Sequence, residues 1–237
     1  MEAIILAGGK ATRLGEAARG LPKALVCVAG KPIAAYQVSQ LVHAGVERVL
    51  VSCAREQETL FAEQLSGLGA EIVAVPEPEP LGRGGGLRLA GMERRESGPV
   101  YALNGDELQD VDLEAMLAEH RSHHAAATIV VAPLMSQFGV VELEGDDRVV
   151  GFREAPRLPH WVSAGVYVLD DEALNRMPER GDHERSTFPE LAADGKLYGF
   201  RHEGLWITVN TPKDLQRAEE HYAAHPELRP TLARGRS

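Results

Sequence analysis

EAIILAGGKATRLGEAARGLPKAL, residues 2–25, decides the fold. The short apolar run over 2–7 ends at Gly8 and Gly9, the pattern of a strand buried on both faces that opens into a loop. Glycines at such a turn let a ligand approach the main chain, whose N–H groups bind phosphate oxygens. A tight turn with no ligand would use the same glycines, so the cations that follow carry more weight. Arg13 can hold phosphate oxygens in pairs, and Lys23, stiffened by Pro22, supplies a compact charge. Together they suit a triphosphate.

Outward from this stretch, helix and strand signals alternate. KPIAAYQVSQLVHAG (31–45) has helical spacing, with Pro32 at its start and Gly45 beyond its end. ERVLVSCA (47–54), AEIVAVPE (70–77) and PVYALNGD (99–106) read as strands, and EQETLFAEQLSGLG (56–69) as a helix. GRGGGLRLAGMERR (82–95) starts a helix from a glycine-rich turn, and DLEAMLAEHRSHH (112–124) and AATIVVAPL (126–134) add a helix and a strand. This order predicts an α/β fold with a Rossmann-like, mostly parallel sheet and helices on both faces. Ligands then sit beyond the carboxyl ends of the strands, where Gly8–Arg13 and Asp106 fall.

FGVVELEGDDRVVGFREAP (138–156) alternates apolar and polar residues around a turn, as a hairpin does. VSAGVYVLD (162–170) follows as a strand, and TPKDLQRAEEHYAAH (211–225) as a capped helix. No linker separates the halves, so one domain over 1–224 is expected, with a nucleotide-binding half over 1–135 and a β-rich sugar-binding half over 136–224. This second segment should build a wall on the same sheet rather than a separate domain, and residues 225–237 a loose tail. No internal repeat is present.

A net charge of −10 over 237 residues argues against nucleic acid and anionic membranes as partners. No apolar stretch is long enough to span a bilayer, and MEAIILAGGK lacks a basic start and a cleavage site, so a cytoplasmic protein is expected. Cys27 and Cys53 read as two buried thiols. His120, His123 and His124 sit at a helix end, where histidine suits the dipole better than a metal.

The chain resembles the sugar-1-phosphate nucleotidyltransferases, in the short form without a C-terminal β-helix, over about residues 2–222. The resemblance is carried by the opening LAGG with Thr12-Arg13 and Pro22-Lys23, by EPLGRGGGLRLA (79–90) and by LNGDELQDVDL (103–113). FGVVEL through FREAP with SAGVYVL, and FPELAADGKLYGF with WITVNTPKDL (206–215), complete it in family order. It implies transfer of a nucleotidyl group from a nucleoside triphosphate to a sugar 1-phosphate, with pyrophosphate released. It also implies that the main chain of Leu6, Ala7, Gly8 and Gly9 holds base and ribose, that Gly82 and Arg83 meet the base, and that Arg13 binds the departing phosphates. Lys23 would bridge the α-phosphate and its attacker, Asp106 would carry Mg²⁺, and Gly139, Glu154 and Ser163 would meet the sugar. The glycine-rich turn leans towards GTP with mannose 1-phosphate or a related sugar.

Departures from the family pattern qualify the activity more than the fold. Ala11 replaces a glycine and Ser163 an asparagine. Ala155 stands where the pattern has a lysine for the sugar phosphate; in an extended segment Arg153 and Arg157 share its face, and Arg157 is the preferred substitute. Thr208 occupies the place of a second metal-binding aspartate, leaving Asp106 to work with phosphate and water, assisted by Glu107 or Asp110. Those two losses keep open a second expectation, a nucleotide- or nucleotide-sugar-binding protein of weak or no turnover. The sequence leaves self-association open.

Overall fold

The computed structural model describes residues 1–231, so the end of the expected tail, 232–237, lies outside the described residues. Strand β1 (Glu2–Leu6) runs into two 3-10 turns, Thr12–Ala18 and Lys23–Leu25, and then a small ribbon, β2 (Cys27–Val28) with β3 (Lys31–Pro32). Next come α1 (Ile33–His43), β4 (Arg48–Ala54), α2 (Glu58–Gln64), β5 (Glu71–Glu77), α3 (Gly82–Met92) and β6 (Val100–Asn104). Then follow β7 (Glu107–Gln109), α4 (Leu113–Ser122), β8 (Ala127–Met135), β9 (Val140–Leu143), β10 (Val149–Arg153) and β11 (Arg157–Leu169). The chain closes with α5 (Asp171–Asn175), α6 (Thr187–Ala193), β12 (Leu197–Arg201), β13 (Trp206–Thr208) and α7 (Pro212–Ala224).

Seven strands form one sheet in the order β12-β8-β11-β6-β1-β4-β5. All its pairings are parallel except those of β11, which runs antiparallel to both β6 and β8. The sheet is thus Rossmann-like with one reversed strand, and β11 joins the two halves through it. Burial on both faces explains the unbroken apolar run of β1: Ala3 and Ile5 pack with α1 and α4, while Ile4 packs on the opposite side with Leu87 and Ala90 of α3. A third cluster joins Leu14 and Val26 to Ile33, Tyr36, Ile207 and Tyr222, so α7 covers the entry loops.

Three expectations need correction. The second segment meets the main sheet only in part: β11 joins it, whereas the hairpin of β9 and β10 is a separate two-stranded sheet. Its register pairs Phe152 with Val141 and Val149 with Leu143, so these apolar side chains share one outward face, while Arg153 and Glu142 pair on the other. Next, Cys27 is exposed, because β2 is a short surface ribbon; Cys53 is buried, and burial pushes its thiol up to about 12. Finally, Ala155 has φ 42°, so the stretch 153–157 turns rather than extends, and the alternation that put Arg153 and Arg157 on one face is broken.

Gly84 and Gly85 lie inside α3 and serve chain packing. A Cβ on Gly84 would stand 2.7 Å from Pro178 and one on Gly85 2.6 Å from the Glu179 carbonyl, which seats the 178–183 segment against the helix. Beyond α7, Pro226–Leu228 forms a turn and Arg229 Nε donates to the Tyr222 carbonyl at 2.7 Å. No helix among the described residues is long and apolar enough to cross a membrane.

Candidate active site

A cleft of about 670 Å³ opens at the carboxyl ends of β1, β5 and β6. One wall is the loop after β1. The Gly105 N–H donates to the Leu6 carbonyl at 2.9 Å, and a Cβ at Gly105 would stand 2.6 Å from that same oxygen, so only glycine lets β6 end this close to β1. That contact delivers Asp106 beside the entry loop. Gly8 faces Glu77, whose carboxylate accepts from Ser52 Oγ at 2.7 Å and the Leu81 N–H at 2.9 Å.

Lys23 is held by the turn after Pro22, its N–H donating to the Gly9 carbonyl at 3.3 Å. The residue is 9% exposed, and its ammonium pairs with Asp106 and donates to Asn210 Oδ1 at 2.7 Å. Arg13 Nη2 donates to the same Asn210 oxygen at 2.6 Å. Arg13, Lys23, Asp106 and Asn210 therefore meet at one corner, with Leu6, Ala7, Gly8 and Gly9 lining the cleft beside them. Asn210 was missed from sequence. Pairing of β13 with β7 and the capping box of Thr211 and Asp214 at the start of α7 set its place.

Glu107 joins this corner, 5% exposed. Thr208 Oγ1 and Trp206 Nε1 donate to its Oε2 at 2.7 and 2.8 Å. Burial, and then the neighbouring Asp106 charge, push its carboxyl up to about 8 against the pull of those donors and Lys23.

At the far end Gly82 and Arg83 line the cleft. Gly82 has φ 77°, and a Cβ there would stand 2.6 Å from the Gly181 carbonyl. Arg83 Nη2 lies 2.5 Å from Asp182 and 2.6 Å from Glu184. Burial works against its charge, yet these two carboxylates hold its pKa above the ordinary value.

A second cavity of about 610 Å³ adjoins the first, and Arg83, Asn104, Glu107 and Thr208 line both. Ser163 lines it too. The Oδ1 of Asn104, another residue missed from sequence, is buried without a hydrogen-bond partner among the described residues. Gly139 and Glu154 meet at the hairpin base, where a Cβ on Gly139 would lie 3.0 Å from Glu154 Oε2. Neither they nor Arg157 line these two cavities. Arg157 donates to Glu203 at 3.0 Å and its guanidinium lies 5.0 Å from the Trp161 ring. Of the three histidines at the end of α4, His120 is buried, with its Nδ1 2.9 Å from Thr128 Oγ1.

Known proteins carry the same arrangement of chain. The mannose-1-phosphate guanylyltransferase of Mycobacterium tuberculosis is 35% identical over 228 residues, covering 92% of this chain and 63% of that protein. The mannose-1-phosphate guanylyltransferase catalytic subunit beta of Danio rerio is 37% identical over 225 residues, covering 91% and 62%. The chain thus spans a little under two thirds of the length of these relatives. HddC from Yersinia pseudotuberculosis, solved in complex with GMP-PN, superposes with a TM-score of 0.71 at 22% identity over 93% of this chain and 99% of its own, a likeness of fold. The family model for nucleotidyl transferases matches residues 2–225, from the first strand through the closing helix, and the chain belongs to that family.

Proposed function

We propose that this chain joins GTP to mannose 1-phosphate, or a closely related sugar phosphate, to give a nucleotide-sugar and pyrophosphate. The observation that carries it is the convergence of Arg13, Lys23 and Asp106 on one corner of a cleft whose adjoining wall is the glycine loop. The names of the 35% and 37% identical relatives support the choice of base and sugar. In the reaction a sugar-phosphate oxygen attacks the α-phosphorus while the bond to the β-phosphate oxygen breaks, so no protein nucleophile is required. Two anions must be brought together, and positioning with charge neutralisation supplies most of the rate.

Each residue has a part in this scheme. The main chain of Leu6–Gly9 holds base and ribose, with Gly82 and Arg83 at the base end. Arg13 takes the departing phosphates, and Lys23, leaving Asp106 and Asn210, spans the α-phosphate and its attacker. Ser163 and Asn104 receive the sugar in the second cavity, joined from the hairpin by Gly139 and Glu154. For Arg157 to grip the sugar phosphate, its pair with Glu203 must open. Residues 1–224 work as one unit, and the free thiols Cys27 and Cys53 suit the cytoplasm.

No three His, Cys, Asp or Glu side chains among the described residues group as a metal cage. Asp106, Glu107 and Thr208 nonetheless put hard oxygen donors at the Lys23 corner. Mg²⁺ takes one or two carboxylates and completes its shell with phosphate and water, so this donor set fits it. When bound there it would neutralise charge on the phosphates.

Pyrophosphate release, measured for four nucleoside triphosphates against several sugar 1-phosphates across a Mg²⁺ titration, tests the proposal. GTP with mannose 1-phosphate should give the highest kcat/KM. Nucleotide binding with no release from any pair would overturn it in favour of a silent binding protein, the alternative that Thr208 keeps open by bringing no charge.

A further inference from the structure

We propose that Glu107 is the second carboxylate ligand of the divalent cation, acting beside Asp106 in a position where residue 208 offers only a hydroxyl. This rests on the cation-and-polyphosphate chemistry proposed above. Asp106 alone brings a single carboxylate to the cation, and until substrate draws Lys23 away one of its oxygens is engaged by that ammonium. Glu107 lines the same cleft, one residue along, and the turn at Gly105-Asp106 that precedes β7 lets two consecutive side chains face one space. On a continuous strand they would point to opposite faces.

The Glu107 carboxylate is built into its place. Its Oε2 takes both hydrogen bonds, from Trp206 and Thr208, which fix its orientation; its Oε1 takes none among the described residues. Gly165 on β11 makes room for it, since a Cβ there would lie 3.0 Å from Glu107 Cγ and 2.6 Å from Asn104 Nδ2. A carboxylate this buried, with two neutral donors and no cation of its own, is costly to keep. A divalent cation between Asp106 and Glu107 offsets that cost and satisfies the open oxygen. Thr208, directly opposite Glu107 in the β7–β13 ladder, then acts as a positioning residue through its hydrogen bond.

The test uses Mn²⁺ as a probe for Mg²⁺, with inorganic pyrophosphate to complete the shell, and reads bound Mn²⁺ by electron paramagnetic resonance. Glu107→Gln should raise the Mn²⁺ Kd at least tenfold while leaving the Kd of metal-free pyrophosphate within twofold, a split that a collapsed site would not give. Adding Thr208→Asp to E107Q should bring Mn²⁺ affinity back to within about threefold of wild type. If E107Q fails to fold in thermal unfolding, Glu107→Asp is read by the same two constants. Unchanged Mn²⁺ binding in E107Q alongside its loss in Asp106→Asn would overturn the role of Glu107 and leave the proposed reaction standing. Unchanged binding in both variants would overturn the cation site itself, and with it this inference.

Discussion

Two cationic corners face the same cleft and are neutralised in different ways. Lys23 and Arg13 share the uncharged oxygen of Asn210, and Asp106 is the one carboxylate among the described residues that pairs with Lys23. Arg83 stands at the other end between two carboxylates, Asp182 and Glu184. Counting each cation with the carboxylates paired to it, the first corner has two positive charges to one negative and the second one to two; the Glu107 carboxyl, pushed up to about 8, adds its negative charge to the first corner only above neutral pH. A polyphosphate entering the cleft is drawn to the surplus, whereas at Arg83 it must displace fixed carboxylates. The difference separates a corner that can neutralise phosphate from one that shapes the wall.

The largest expected effect falls on the first corner. Lys23→Ala removes a charge that matters most as the new bond to the α-phosphate forms, so single-turnover pyrophosphate release should slow about 10³-fold. Triphosphate affinity, measured by calorimetry, should weaken by less than about fivefold, because Arg13 and the glycine loop remain. An unchanged rate would erase the contrast between the corners.

The second corner is sharpened by acid. Asp182 and Glu184 flank His183, which is fully buried against the edges of Tyr167 and Phe188, with neither ring nitrogen hydrogen-bonded among the described residues. Burial lowers its pKa to about 4 from 6.5. Between those values the unfolded chain binds a proton that the folded chain refuses, so this contribution to stability is present above pH 6.5 and is lost as pH falls towards 4. Between pH 7 and pH 4.5 the loss is about 2 kcal/mol. His183→Leu lacks that ionisation, and urea unfolding at the two pH values should show wild type losing about 2 kcal/mol more than the variant. Equal losses would mean the strap that holds Arg83 is insensitive to the state of His183.

Both corners show how far the sequence could be read. The run of residues 2–7 into Gly8 was legible because burial on both faces leaves one recognisable pattern, and the order of strands and helices followed from the same periodicity. Arg13, Lys23 and Asp106 were legible because each lies close to a glycine or proline that marks a loop. Asn210 was not: its partners lie 187 and 197 residues away, and before Thr-Pro an asparagine reads as part of a helix start. Asp182 and Glu184 were hidden for the same reason, since an acidic residue on a surface stretch carries no local sign of a distant arginine. In the stretch 153–157 Pro156 marked a loop, but the reversal of the two-residue alternation by one residue at φ 42° was not announced by a glycine. Exposure of Cys27 escaped notice because a two-residue ribbon leaves no periodicity.

The smallest effect gives the cleanest comparison, because it removes the surplus of the first corner and moves it towards the second. Asn210→Asp keeps the shape of the side chain and replaces the neutral oxygen shared by Arg13 and Lys23 with a carboxylate, so both corners would then hold their cations with two acids. Competition between that carboxylate and the polyphosphate should weaken triphosphate binding about tenfold, less at high salt, since opposed charges in a partly buried site interact by a few kcal/mol before screening. Asn210→Ala removes the acceptor without adding charge and should change the Kd by less than about threefold. If the two variants weaken binding equally, the hydrogen bond rather than the neutrality of Asn210 matters, and surplus charge is not what distinguishes Lys23 from Arg83.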